Sequence, residues 1–345
     1  VSEAAVRIGQ IGFGYWGPNL LRNMQSVSRA RVVAVADLDE RRLAEVPQDG
    51  SPVGMTRDHR ELFSRADIDA VVIATPAASH GELAYAALCA GKHVLVEKPL
   101  ATTVEDAARL IALASRQGLI LMVGHTFLYS AAVRCLKQYL EGGELGKVFY
   151  LYSQRVNLGR VCPDVNTLWN SAPHDVSILL YLMGQMPVEV VARGFAYLRD
   201  DVEDVVFMTL SFPRNVGAHI HVSWLDPHKV RRLTLIGSRK MAVYDDVSSD
   251  ARIVLYDRGV DRVATATAPG DLRRPADLPL RLRSGEVTIP VLTPAEPLRV
   301  ECAHFVECIL EGRQPLTDGQ HGLDVVRVLT AAQHSLDKRG APVAI

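Results

Sequence analysis

The chain has 345 residues, of which 48% are apolar and 22% charged, with 38 Lys+Arg against 39 Asp+Glu. Proteins that bind polyanions normally carry a basic excess, so nucleic acid is not an expected partner. No uncharged stretch approaches the roughly 20 residues of a membrane span, and no charged leader followed by an apolar run opens the sequence. The expectation is a cytoplasmic protein with no membrane partner. At about 150 residues per domain the length suggests two domains. The five cysteines (Cys89, Cys135, Cys162, Cys302 and Cys308) are odd in number, scattered, and form no C-x-x-C pair. They read as reduced thiols, not as a disulfide framework or a zinc site.

The first third alternates strand and helix. Val6 to Ile11 reads as a short apolar strand, and Gly12-Phe13-Gly14-Tyr15-Trp16-Gly17 follows at once. Pro18 to Met24 reads as a helix, because proline is tolerated in a first turn. Arg31 to Ala36 is a second strand with Asp37 at its end. Glu40 to Val46 is helix-like, and residues 47–52 form a loop. Asp69 to Ala74 is a third strand, closed by Thr75-Pro76. Ser79 to Ala90 has helical periodicity and stops at Gly91, as a left-handed cap residue would stop it. His93 to Val96 is a fourth strand that runs into Glu97-Lys98-Pro99. Val104 to Gly118 is a helix, and Leu119 to Val123 is a fifth strand. Such alternation implies a parallel sheet covered on both faces. Ligands bind such sheets at the carboxyl ends of the strands. Gly12, Asp37, Thr75, Glu97-Lys98 and Gly124-His125 all fall there.

A glycine-rich G-x-G-x-x-G run between a strand and a helix, with an acidic residue closing the next strand, is the context a dinucleotide fingerprint requires. Gly12 permits the tight turn. Gly14 lets the backbone approach a pyrophosphate, and Gly17 lets the helix pack closely. The helix N-terminus offers its positive dipole end to phosphate. Asp37 can accept hydrogen bonds from both ribose hydroxyls and would repel a 2′-phosphate, which favours NAD over NADP. Arg41 and Arg42 lie nearby and could soften that preference.

The strand Val94-Leu95-Val96 ending in Glu97-Lys98-Pro99-Leu100, downstream of the glycine loop, resembles the Gfo/Idh/MocA oxidoreductases. So do Ile11 to Asn19, Ala74-Thr75-Pro76 with His80, Ala90 to Val94, and Pro315 to Gly319. The resemblance covers nearly the whole chain. It implies an α/β fold: a Rossmann dinucleotide-binding domain (1–124), then a substrate-binding and oligomerisation domain (125–345) built on a large, mostly antiparallel open sheet. The C-terminal helices could pack back on the first domain. The sequence agrees on its own terms. Lys147 to Val156, Glu189 to Phe195, Val205 to Phe212, Val216 to Trp224, Arg231 to Ile236 and Lys240 to Tyr244 read as strands rich in β-branched and aromatic residues. Trp224 to Arg232 reads as a hairpin turn. Pro173 to Leu182, Pro297 to Leu310 and Gly322 to Leu336 read as helices. An open sheet needs cover on its second face, which predicts a homodimer or homotetramer, with Val206, Met208, Leu210 and Phe212 supplying the apolar surface.

Dehydrogenation of a secondary alcohol needs a base for the hydroxyl proton and a cation for the developing alkoxide. The resemblance assigns the cation to Lys98. It assigns the base to His174, in Leu168 to Ser177. Family members commonly carry an aspartate four residues before that histidine; here the position holds Asn170. A neutral amide raises histidine basicity less than a carboxylate does, so His174 acts with Lys98 alone or with help from Asp175. Implied cofactor contacts are Gly12, Phe13, Gly14, Tyr15, Trp16, Gly17, Asp37, Thr75, Pro76, His80, Glu97 and Lys98. Implied substrate contacts are Lys98, Arg155, Asn157, Asn170, His174 and Asp175. Arg160, Asp164 and Asn166 flank them in a polar segment read as a loop. For Tyr15 and Trp16, a pocket wall and helix-face packing stay open. His125 reads as structural or cofactor-proximal. His219 and His221 lack the ligand spacing of a metal site.

Asn157 to Gly159, Ala172 to Asp175 and Ser223 to Pro227 resemble the branch of the family that includes nucleotide-sugar 3-dehydrogenases and ketoreductases, and the function this implies is an NAD-dependent oxidoreductase acting on a ring alcohol or ketone of a nucleotide-linked sugar. A free inositol or sugar dehydrogenase is the alternative enzyme. A non-catalytic NAD-binding sensor, favoured only by Asn170, is the alternative of another class.

Overall fold

In the computed structural model, residues 5–48, 52–159, 161–162, 165–262 and 280–345 are described. They fall into two compact units, neither continuous in sequence. One comprises residues 1–131, 176–181 and 294–334; the other comprises 132–175, 182–293 and 335–345.

The first unit is built on β1 (Val6–Ile11), α1 (Gly17–Gln25), β2 (Ala30–Ala36), α2 (Glu40–Leu43), β3 (Gly54–Thr56), α3 (His59–Ser64), β4 (Ala70–Ile73), α4 (His80–Cys89), β5 (His93–Glu97), α5 (Val104–Gln117) and β6 (Leu121–Gly124). The strands form one parallel sheet in the order β3-β2-β1-β4-β5-β6. This is the doubly wound order in which ligands sit at the strand carboxyl ends. Local chemistry fixes the helices. Asp39, Asp58 and Thr103 cap α2, α3 and α5 by accepting a main-chain N–H, and Gly118 ends α5 at φ 66°. Ile73, Val94, Val96, Leu110 and Val123 lie in the core that joins sheet to helices. The sequence reading missed β3 and α3. A three-residue edge strand and a six-residue helix are too short to show a period.

The second unit carries α6 (Ala131–Glu141), β7 (Val148–Val156), the first nine residues of α7 (Thr167–Met183), β8 (Glu189–Phe195), β9 (Val205–Phe212), β10 (Val216–Ser223), β11 (Val230–Gly237), β12 (Met241–Asp245), β13 (Ile253–Arg262) and β14 (Leu280–Thr288), while residues 176–181 and 294–334 count with the first. After α8 (Pro297–Glu311) and α9 (Gly319–Asp337), the chain ends in β15 (Val343–Ala344). Nine strands form one sheet, β14-β13-β12-β11-β7-β10-β9-β8-β15, antiparallel except for β10 against β7. That exception corrects the hairpin expected at Trp224 to Arg232. β10 and β11 flank β7 on opposite sides, so the connection crosses over β7.

A second correction concerns the sheet's faces. Val206, Met208, Leu210 and Phe212 are buried within the chain, because their face of the strand points to the core. The alternate face carries exposed Tyr150, Tyr152 and Phe207. There Phe207 stacks on His221 with ring centroids 4.4 Å apart.

A third difference is the start of α7, six residues before the expected Pro173. Asn166 sets it: its Oδ1 accepts the Trp169 N–H at 3.1 Å, as an N-cap residue does. Pro173 then sits inside the helix. No helix among the described residues is long and apolar enough to cross a membrane.

Candidate active site

The glycine loop leaves β1 under steric compulsion. Gly12 has φ +95°, and a Cβ there would meet the Ala74 carbonyl oxygen at 2.5 Å. A Cβ on Gly17 would meet the Gly12 carbonyl oxygen at 2.6 Å. Gln10, fully buried near the end of β1, clasps the loop from below. Its Nε2 donates to the carbonyls of Gly12 and Gly17, both at 3.0 Å. Sequence reasoning missed Gln10, although a lone amide in a buried strand is itself a signal. The first turn of α1 holds no acidic residue, so the positive end of its dipole stays uncompensated.

Asp37 stands where expected, at the end of β2. Its Oδ2 accepts from Phe13 N at 2.7 Å and its Oδ1 from Asp39 N at 2.9 Å. Arg42 lies 3.6 Å from the same carboxylate, and a Cβ on Gly14 would come 3.4 Å from its Nη1. Arg41 turns instead to Asp39. The donor set fits a dinucleotide: a loop only glycine can make, a helix N-terminus, and a carboxylate held against the loop.

Thr75 and Pro76 close β4. His80 is buried, with Nδ1 2.7 Å from the Pro99 carbonyl and Nε2 2.9 Å from that of Thr75. Its ring therefore braces the turn after β4 against the turn after β5, and any part it takes in holding a cofactor is through that brace. The Lys98–Pro99 peptide is cis. Tyr15 is exposed, whereas the Trp16 side chain hydrogen-bonds Glu97. The two residues left open by the sequence thus part ways.

Behind Lys98 lies a buried polar cluster that sequence reasoning largely missed. Burial raises the Glu97 carboxyl to about 7, against the opposing pull of the Lys98 charge. Glu301 on α8 is fully buried; burial and the nearby Glu97 charge hold its carboxyl well above the usual range. Thr126 Oγ1 donates to Glu301 Oε2 at 2.7 Å. Neither ring nitrogen of His125 has a hydrogen-bond partner. The ring meets that of His321 edge-on, with centroids 5.2 Å apart. Burial keeps both imidazoles neutral, His321 near 4. The His321 Nε2 pairs with Ser177 Oγ at 2.8 Å.

In the second unit, α7 presents Asn170, His174 and Asp175 in successive turns. Asn170 donates to the Cys162 sulfur at 2.9 Å. Asp175 is buried and engaged. Its Oδ2 accepts from Arg155 Nε at 2.6 Å, and its Oδ1 from Ser153 Oγ at 2.5 Å. Arg155 and Asp175, expected to meet substrate, thus tie α7 to β7 and orient the residue beside them. Asn157 follows β7, its N–H bonded to the Ser223 carbonyl. Asn166 spends its side chain on the cap and on Glu203. Arg160 and Asp164 lie outside the described residues. Among the described residues no group of three His, Cys, Asp or Glu could hold a metal ion.

Comparison with known proteins places this geometry. A family model described as an oxidoreductase family with an NAD-binding Rossmann fold matches residues 6–125, and the GFO/IDH/MocA C-terminal domain matches 133–243. Inositol 2-dehydrogenase 2 of Saccharopolyspora erythraea is 33% identical over 63% of this chain and 66% of its own length. A 2,7-anhydro-N-acetylneuraminate hydratase of Mediterraneibacter gnavus is 29% identical over 59% of this chain and 58% of its own. The chain therefore spans less than two thirds of the length of these curated relatives. UDP-N-acetylglucosamine 3-dehydrogenase of Acidithiobacillus ferrooxidans is 29% identical over 95% of both chains. Its solved structure has the same fold, with a TM-score of 0.78 at 24% identity, covering 97% of this chain and 99% of that one.

Proposed function

The chain belongs to the Gfo/Idh/MocA oxidoreductase family, and on that premise we propose that it moves hydride between NAD and a ring secondary alcohol or ketone of a nucleotide-linked sugar. The observation that carries the reading is the Glu97-Lys98-Pro99 turn, which closes β5 in the sheet whose β1 ends in the glycine loop and whose β2 ends in Asp37. The loop from Gly12 to Gly17 and the N-terminus of α1 hold the pyrophosphate, and Asp37 holds the adenosine ribose. Thr75, Pro76 and Glu97 line the nicotinamide side. Bound NAD supplies the hydride acceptor. Lys98 donates a hydrogen bond to the alcohol oxygen and stabilises its charge as the proton leaves. His174 receives that proton. Asn157 and Asn170 hydrogen-bond sugar hydroxyls. Asp175, with both oxygens engaged, holds α7 in place.

Nucleotide linkage is supported by the full-length match to a relative named for a UDP-sugar. The shorter match to an inositol dehydrogenase favours the alternative, a free cyclitol. The test is nicotinamide absorbance with UDP-, GDP- and dTDP-sugars beside free inositols and hexoses, each with NAD and NADP. Turnover confined to nucleotide sugars with NAD supports the reading, and turnover confined to cyclitols replaces its substrate. NAD binding without turnover on any alcohol moves the chain to the sensor class. A preference for NADP would show that Arg42, not Asp37, governs the ribose.

The partner surface is the open face of the second unit's sheet. Phe207, Tyr150 and Tyr152 are exposed there, and burial lowers the pKa of His219 and His221, so that the imidazoles stacked beside Phe207 favour their neutral form. A second copy of the chain covers it in this reading. Light scattering should report a dimer or tetramer, and Phe207→Glu should shift it toward monomer.

A further inference from the structure

Glu301 lies outside every motif that carries the proposed chemistry, yet it is fully buried and one of its oxygens, Oε1, has no hydrogen-bond partner. Glu97 Oε1 is in the same state. The Glu97 charge acts on Glu301, and three features place both carboxyls at the end of β6. Glu97 pairs with Gly124 in the register of β5 and β6. A Cβ at Gly124 would come within 3.0 Å of Glu97 Oε1, so the strand is stripped of its side chain where Glu97 lies over it. Thr126, just past that strand end, binds the other Glu301 oxygen at 2.7 Å. Beside them His125 is buried with both nitrogens unpartnered.

We propose that Glu301 is a positioning residue for Lys98: it shares one proton with Glu97, and the pair presents a single negative charge to the lysine ammonium. The inference rests on the role given to Lys98 above.

The charges facing the pair decide its state. Lys98 follows Glu97 on β5, and its charge acts on both Glu97 and His125. Trp16, from the glycine loop, donates to Glu97. His125 after β6 and His321 on α9 are neutral by burial. Asp318 at the start of α9 is engaged with the His321 N–H. Cys302, next on α8, is held as the thiol by burial and by both glutamates. Glu296 before α8 is bound to Arg22 and Asn23. One lysine charge thus faces two buried carboxyls. Like charges in a desolvated site do not both ionise. Glu97 keeps the charge because Lys98 and Trp16 stabilise its anion. Glu301 keeps the proton because its burial and the neighbouring Glu97 charge outweigh the Thr126 hydroxyl, which on its own would favour the anion.

Glu301→Gln is the test, since a neutral amide of the same size copies a protonated carboxyl. Infrared spectra of the wild-type protein near neutral pH should contain a protonated carboxylic acid band that is lost in Glu301→Gln. The variant should keep wild-type turnover at neutral pH and lose the alkaline step in kcat/KM that the pair's last proton produces. An unchanged infrared spectrum in the variant would overturn the inference, even in an enzyme that turns over normally. So would a variant whose turnover collapses at neutral pH while its NAD affinity and unfolding transition match wild type. Loss of the band, in a protein that oxidises no alcohol, would retain the shared proton and defeat the functional reading instead.

Discussion

Both units bury charged groups beside the residues proposed for chemistry, and they treat them in opposite ways. In the middle of α7, Asp175 has its carboxylate met by Arg155 and Ser153. At the ends of β5 and β6, one oxygen each of Glu97 and Glu301, and both ring nitrogens of His125, have no partner. A buried polar atom left unsatisfied costs about 1–3 kcal/mol, so the second arrangement is a standing cost and the first is not. The closed network around Asp175 is a strut that fixes the helix carrying His174. The open one at β5 and β6 is electrostatically unfinished, as expected where a charged residue must respond to a ligand.

The largest expected effect tests the open cluster. Lys98→Ala should lower turnover by about 10²–10⁴-fold, with NAD affinity measured by fluorescence nearly unchanged. Normal turnover would remove Lys98 from the chemistry and leave the cluster around it without a purpose. Next comes the closed network. Asp175→Asn removes the carboxylate from the buried pair with Arg155, and breaking such a pair costs about 3–5 kcal/mol. Denaturant unfolding should show that loss. Unchanged stability would mean that the pair is dispensable and that Asp175 is kept for another reason.

The sequence carried the two regions unequally. In the first unit, strands, helices and ligand-bearing strand ends were legible because a parallel α/β sheet punctuates itself: apolar runs stop at Gly, Asp, Thr or Glu-Lys-Pro. In the second, β7 to β12 were legible but β13 to β15 were not, nor was which face was buried. Val206 and Phe207 are both apolar, and alternation does not say which side meets the core. Pro173 suggested a helix start, yet the Asn166 cap upstream prevailed. The polar cluster was hidden for a different reason. Glu301 and His321 sit on helices far along the chain from Glu97 and His125, and no periodic pattern links them. Thr126 was visible as a residue but not as a partner, because its acceptor lies 175 residues along the chain, and Gln10 because only the fold of the glycine loop turns two carbonyls toward it.

The smallest effect sharpens the comparison through pH. His321 pairs with Ser177 and abuts His125, and burial pushes its pKa down to about 4 from an unfolded value of 6.5. Between those values the unfolded chain binds a proton that the folded chain does not, so stability rises with pH across that window. The contribution is fully present above 6.5 and is lost as pH falls toward 4, the loss reaching about 3 kcal/mol at the bottom of the window at 1.36 kcal/mol per unit. His125, shifted in the same direction by burial and by Lys98, steepens the fall. Urea unfolding followed across this range should show the slope. His321→Asn should flatten it, at a cost of about 1 kcal/mol for the Ser177 hydrogen bond at neutral pH. Asp175 gives the contrast. With Asp175→Asn the whole curve should drop and keep its shape in this window, because His321 still supplies the slope. A curve that instead loses its slope in Asp175→Asn, or keeps it in His321→Asn, would show that acid sensitivity comes from the closed network and would reverse the roles given to the two regions.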